Sequence, residues 1–93
     1  MAEICRKRLV VKGSVQGVGF RFFVIRLAES YEVTGYVRNL PDSSVEVVAE
    51  GPGDQVDQFV ERAARGPSSS RVTERKIYHQ EPTGNYNSFG VTY

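Results

Sequence analysis

Gly13-Ser14-Val15-Gln16-Gly17-Val18-Gly19 places three glycines at close spacing directly ahead of Phe20-Arg21. Where such a loop runs into a helix, unpaired N–H groups and the positive end of the dipole face it, which makes an anion site. Glycines let successive amides turn inward as a nest, where side chains would obstruct an approaching phosphate. The Arg21 guanidinium is always charged and is shaped for bidentate phosphate contact. Loop and arginine together read as an oxyanion cradle. Two better-known glycine motifs do not fit, since Gly17-Val18-Gly19 lacks a third glycine and no Gly-Lys-Ser/Thr follows. Glycine-rich strand-to-helix turns more often do no more than turn the chain, so the loop by itself is a weak signal.

Asn39 stands just before Leu40-Pro41, in parity with Val33, Gly35 and Val37. It reads either as a turn-initiating Asn bonded to its own backbone or as an amide holding a water opposite the cradle. The usual catalysts are missing. His79, the only histidine, is far in sequence from both motifs and suits a strand edge better than general-base work. Ser14 has no base beside it, Cys5 has nothing in view to lower its pKa, and no His/Cys/carboxylate group has metal-ligand spacing. Asp42, Glu46 and Glu50 read as hairpin and solvent-face charges.

A phosphate site without acid, base, nucleophile or metal suits one kind of substrate. Phosphoryl transfer passes through a loose transition state, and positioning plus charge stabilisation supply most of its catalysis. A carboxylate leaving group departs unprotonated, whereas an alkoxide needs a general acid. The site therefore suits a mixed carboxylic–phosphoric anhydride and suits phosphate esters badly.

The elements that must position these residues follow from apolar spacing. Leu9-Val10-Val11 within Arg6–Lys12 predicts a strand ending in the glycine loop. Phe20, Phe23, Val24, Leu27, Ala28 and Tyr31 make one helical stripe. Thr34–Leu40 and Ser44–Glu50 predict a hairpin around Pro41-Asp42-Ser43, with Glu46 and Glu50 on a wet face that Val48 interrupts. Pro52 suits the first position of a second helix whose stripe is Val56, Phe59, Val60, Ala63 and Ala64, with Gly66 as its C-cap. Arg71–Gln80 and Tyr86–Tyr93 read as two further strands. The order β-α-β-β-α-β plus a terminal strand is that of an α+β, ferredoxin-like α/β sandwich, an antiparallel sheet with two helices on one face. Its first two strands run parallel with the third between them, so the glycine loop, Arg21 and Asn39 should converge at one edge.

Size and charge narrow the class. The chain has 93 residues, room for one core, and is expected to form a single domain over residues 1–93. Twelve Lys+Arg against 11 Asp+Glu give a net charge of +1, which argues against a nucleic-acid or membrane partner held by bulk electrostatics. One cysteine excludes an internal disulfide, and Met1–Arg8 is too polar for a signal segment. A cytoplasmic monomer is the default expectation.

The two motifs, Gly13 to Arg21 and Gly35-Tyr36-Val37-Arg38-Asn39-Leu40-Pro41-Asp42, closely resemble the acylphosphatase family. The resemblance runs from about Arg8 to Tyr93 and includes Val45-Glu46-Val47, Gly51-Pro52 and Gly66-Pro67. It implies hydrolysis of acyl phosphates to a carboxylate and inorganic phosphate, with no metal or cofactor and with inorganic phosphate as product and competitive ligand. It further implies that the amides of Val15, Gln16, Gly17, Val18, Gly19, Phe20 and Arg21 bind the phosphoryl oxygens. The Arg21 side chain would complete the cradle, and Asn39 would orient the attacking water. Ser14, Tyr36, Ser43 and the glycine-free Tyr31-Glu32-Val33 depart from the usual pattern. A left-handed residue at position 43 or 32 would carry about 1 kcal/mol of strain. Nothing in the sequence marks a pocket for the acyl group, so acyl selectivity is expected to be loose.

Two other readings compete. A non-catalytic acyl- or carbamoyl-phosphate binding module would keep the cradle without turnover. An RNA-binding module shares the element order, and Gly19-Phe20-Arg21-Phe22-Phe23-Val24 echoes its aromatic signature. That signature belongs on a central strand, whereas here it opens a helix.

Overall fold

A computed structural model describes residues 3–93; Met1 and Ala2, part of the expected 1–93 domain, lie outside the described residues. Strand β1 (Ile4–Ser14) buries Leu9 and Val11 completely on one face and sets Arg6 and Arg8 on the other. Helix α1 (Phe20–Ala28) buries Phe20, Val24 and Ala28, one residue per turn of its apolar stripe. It is shorter than that stripe. Glu29 and Ser30 donate to Arg26 and Leu27, three residues back, and this tightening ends the helix before Tyr31. The Tyr31 ring still packs on Phe59, with centroids 6.0 Å apart.

Strands β2 (Thr34–Asn39) and β3 (Val45–Pro52) form the expected hairpin, and α2 (Gly53–Arg65) follows with its whole stripe buried. The second helix starts one residue later than Pro52. That proline is still paired with Ile4 in the sheet, and its ψ of 138° is extended rather than helical. The chain closes with β4 (Arg71–Gln80) and the three-residue β5 (Phe89–Val91), so the strand expected from Tyr86 begins later and ends sooner.

The sheet order is β4-β1-β3-β2-β5. The four longer strands pair antiparallel, with β1 and β2 flanking β3 as the topology requires. The expectation of a purely antiparallel sheet fails at β5, which lies parallel to β2 with Gly35 opposite Phe89. The reason is geometric. β4 and β5 sit on opposite edges, and the connection between them crosses the sheet and reverses once, which leaves β5 running with β2. Both helices cover the face that carries Leu9, Val11, Val37, Val45, Val47 and Ala49. Neither helix is long and apolar enough to cross a membrane.

A second expectation fails on the face away from the helices. Glu46 and Glu50 do not face water, since they are only 2% and 4% exposed, and Val48 between them is fully buried. Glu46 accepts hydrogen bonds from Arg8 at 2.5 Å and Arg38 at 2.6 Å. Glu50 accepts from Arg6 at 2.7 Å, from the Thr83 hydroxyl at 2.8 Å and from the Gly84 N–H at 3.0 Å. Tyr86 adds its hydroxyl to Arg6 and its ring to Tyr36. Alternation told which face these residues share; Arg8 and Arg38 cover Glu46, and Arg6 with the strap from residue 81 to 88 covers Glu50. Every buried side-chain polar atom among the described residues has a partner.

Two predictions follow from this frame. Burial alone would raise the Glu50 carboxyl, but the Gly84 N–H, Arg6 and Thr83 hold it at about 2 instead of its ordinary 4.5. A carboxyl held low adds stability that is complete above its unfolded value and is lost as pH falls through the folded one. Denaturant titrations across pH should therefore separate the parent from Glu50→Gln by about 3 kcal/mol at pH 7 and by almost nothing near pH 2. Ser43 has φ 74°, alone among described non-glycine residues in being positive. Ser43→Gly should relieve about 1 kcal/mol and raise the melting temperature by several degrees.

Candidate functional site

Between β1 and α1 the chain is anchored at two points, Val15 and Phe20, each 1% exposed. The residues between them stand up from those anchors. Gly17 and Gly19 take φ 74° and 78°, which a side chain would disfavour, and a Cβ on either would meet nothing within 4 Å. The loop is glycine-rich for its conformation, and the space beside it is open.

Its donors are free as well. Among the described residues, the N–H groups of Gln16, Gly17, Val18 and Gly19 find no protein acceptor in the bonds that close turns and caps. Those of Phe20 and Arg21 belong to the first turn of α1, where no intrahelical acceptor exists. The first intrahelical bond runs from Phe23 N–H to the Gly19 carbonyl at 2.9 Å. No acidic residue occupies the first turn, so the positive end of the dipole is left uncompensated. A loop that only turned the chain would bond more of these groups internally.

Arg21 and Asn39 border the same cleft of about 390 Å³, together with Gly17 and Gly19. Arg21 is half-buried and enters no ion pair formed by the described residues; its guanidinium lies 5.6 Å from the centroid of the Tyr93 ring. Asn39 is the last residue of β2, opposite Val45, and its parity with buried Val37 turns it toward the cleft. The following turn is closed by others. Leu40 N–H donates to the Ser44 carbonyl at 2.8 Å, and the Asp42 carboxylate accepts from the Ser44 amide at 3.1 Å. The hydroxyl and amide of Ser44 hold the Asp42 carboxyl below its ordinary value. The Asn39 amide is thus not used to close the turn. Convergence of loop, Arg21 and Asn39, expected from topology, is what the fold delivers.

The remaining chemically capable residues lie elsewhere. His79 is exposed on edge strand β4, opposite Lys7; Ser14 pairs with Arg71 at the end of β1; Cys5 lies at its start, paired with Gly51. No group of three or more His, Cys, Asp or Glu among the described residues is placed to hold a metal. Phe20 of the aromatic run is buried in the core and Phe23 packs edge-on to it at 6.2 Å, on a helix rather than a strand.

Sequence reasoning missed the residues that brace the loop. The Gln16 side chain donates to the Leu40 carbonyl at 3.0 Å and the Ser44 carbonyl at 2.9 Å, tying the loop to the β2–β3 turn that carries Asn39. Ser69, between α2 and β4, donates to the Val18 carbonyl at 2.8 Å. Neither contact has a local signature, because each joins segments distant in sequence. A glutamine inside a glycine loop was the one available hint.

The chain is similar to known proteins along most of its length. The family model described as Acylphosphatase matches residues 7–91. An acylphosphatase of Moorella thermoacetica is 47% identical over 82 residues, covering 88% of each chain. The crystal structure of acylphosphatase from Bacillus subtilis superposes with a TM-score of 0.89 at 36% identity, over 96% of this chain and 99% of that one. Full-length HypF in a phosphate- and nucleotide-bound form matches with a TM-score of 0.89 at 29% identity; all of this chain corresponds to 12% of that protein.

The bracing role of Gln16 is testable without any substrate. Gln16→Ala keeps the backbone amide and removes both side-chain bonds, so inorganic phosphate should bind on the order of tenfold more weakly by calorimetry. Unchanged affinity would mean that the loop holds its shape without the brace.

Proposed function

The chain belongs to the acylphosphatase family and hydrolyses acyl phosphates; we propose that Arg21, Asn39 and the loop amides carry the reaction. The amides from Val15 to Arg21 take the phosphoryl oxygens, and the Arg21 guanidinium completes their charge. Asn39 holds a water on the side of phosphorus opposite the leaving group. The water oxygen forms its bond to phosphorus as the bond from phosphorus to the bridging oxygen breaks. That electron pair leaves with the carboxylate, and the proton of the water passes to a phosphoryl oxygen. No protein base or acid is needed, because the leaving carboxylate is weakly basic and the phosphoryl group accepts the proton itself.

One observation supports this reading above the others: unbonded loop amides, an ion-pair-free Arg21 and an Asn39 not used by its own turn border one cleft. Charge on the equatorial oxygens is what the amides and Arg21 stabilise most in the transition state. We also propose that residues 1–93 act as one domain, a cytoplasmic monomer whose partner is a small-molecule acyl phosphate rather than nucleic acid or membrane. A single shared core supports the one domain, and a net charge of +1 argues against a nucleic-acid or membrane partner held by bulk electrostatics.

The roles separate in kinetics. Arg21→Ala should lose turnover by on the order of 10³-fold and weaken inhibition by inorganic phosphate as well. Asn39→Ala should lose turnover comparably while inorganic phosphate still inhibits within about twofold of the parent. Release of phosphate from an acyl phosphate, with chelator present, reads both. Near-parent turnover by Asn39→Ala would remove it from the mechanism. Absence of turnover in the parent, with phosphate still bound, would favour a binding module.

A further inference from the structure

Ser69 does not line the cleft, yet it is bonded to the loop that does. Its hydroxyl donates to the Val18 carbonyl at 2.8 Å, and no other side chain among the described residues donates to a carbonyl of Gly17, Val18 or Gly19. The connection between α2 and β4 that carries it is itself fixed. Ser70 returns its N–H and its hydroxyl to the Pro67 carbonyl, at 2.9 and 2.7 Å. Gly66, at φ 70°, lies so close on Phe20 that a Cβ there would fall 2.6 Å from the ring. Ser69 is thus delivered from a segment seated on the buried residue that anchors the end of the loop.

The Val18 carbonyl and the Gly19 N–H belong to one planar trans peptide, so they point in opposite directions. Holding the oxygen toward the connection turns the N–H away from it, and Gly19 lines the cleft with that N–H unbonded. The next peptide is held by the helix, through the bond from Phe23 N–H to the Gly19 carbonyl. The Val18–Gly19 peptide has no such hold within the loop. Glycine at 19, with nothing within 4 Å of a Cβ, lets this peptide rotate more readily than any other residue would. Once rotated, it would offer the cleft an acceptor oxygen in place of a donor. We propose that Ser69 is a positioning residue of the cradle, whose hydroxyl keeps the Gly19 N–H aimed at the phosphoryl oxygens. The assignment rests on the hydrolase reading above and names what aims one of its donors. Loss of a whole oxyanion donor lowers turnover by about 10²- to 10³-fold, so a donor left in place but poorly aimed should cost less.

The test compares the parent, Ser69→Ala and Ser69→Thr by turnover of an acyl phosphate, inhibition by inorganic phosphate, and the Gly19 amide resonance during a titration with inorganic phosphate. Ser69→Ala should lose turnover by on the order of tenfold and be inhibited several-fold more weakly by inorganic phosphate. Its Gly19 amide proton should move downfield less at saturation than that of the parent. Ser69→Thr keeps the hydroxyl and should restore all three. Ser69 is exposed, so neither change reaches the core. A Ser69→Ala variant equal to the parent would overturn the assignment and leave the hydrolase reading standing. Equal losses in Ser69→Ala and Ser69→Thr would also overturn it, since the hydroxyl would then not be the cause. A parent that turns over no acyl phosphate, while phosphate still moves its Gly19 amide more than that of Ser69→Ala, would remove the hydrolase reading and keep the positioning role.

Discussion

An anion can be concentrated by a protein only where positive charge and N–H donors are left without partners, and such groups are costly anywhere that water does not reach. This chain keeps the donors of Gln16 to Gly19 and the guanidinium of Arg21 at an open edge, between a strand end and a helix start. A loop without internal hydrogen bonds has no rigidity of its own. Its shape is imposed from outside, by the buried anchors Val15 and Phe20 and by the Gln16 and Ser69 side chains. The bonds that a self-contained turn would have made to itself are made instead by its neighbours to its carbonyls and side chains.

The opposite face of the sheet contributes to the same site at a distance. β4 ends on one edge, and the chain must reach the other edge to add β5 beside β2. The strap that makes this crossing is fastened to Glu50 by Thr83 and Gly84, and Tyr86 of the strap meets Arg6 and Tyr36. A buried carboxylate is tolerated there because several donors converge on it. The crossing delivers Phe89 to the core against Phe59 and brings Val91 and Tyr93 beside Arg21. The apolar wall of the cleft thus depends on a carboxylate on the helix-free face of the sheet. The polar cradle does not.

Local patterning carried most of the fold and the polar half of the site. Both helical stripes, the hairpin, the order of elements and the convergence of Gly17, Gly19, Arg21 and Asn39 all follow from apolar spacing, glycine positions and crossover handedness. Patterning failed where the deciding neighbour is far along the chain. The alternation of Val45, Glu46 and Val47 gives a face but not its covering, so the burial of Glu46 and Glu50 could not be read. The direction of β5 depends on how a connection crosses a sheet, which three residues of strand do not encode. Gln16 and Ser69 act through side-chain bonds to segments 24 to 28 and 51 residues away, and no local rule contains such contacts. The apolar side of the cleft joins helix α1 to Val91 and Tyr93, again a product of topology rather than of any motif.

These two halves of the cleft are under different physical constraints. In the proposed reaction the cradle must match the charge and geometry of a transferring phosphoryl group, which is the same in every acyl phosphate. Gly17 and Gly19 at positive φ, the helix terminus and Arg21 leave little room for substitution. Phe22, Val91 and Tyr93, on the other side of the cleft, are held to no such geometry. Phe22 and Tyr93 are exposed and are held by cation stacking rather than by core packing, so they are free to change without unfolding the protein. The polar side of the cleft is therefore fixed by backbone conformation, and the apolar side is adjustable through side chains that the core does not need.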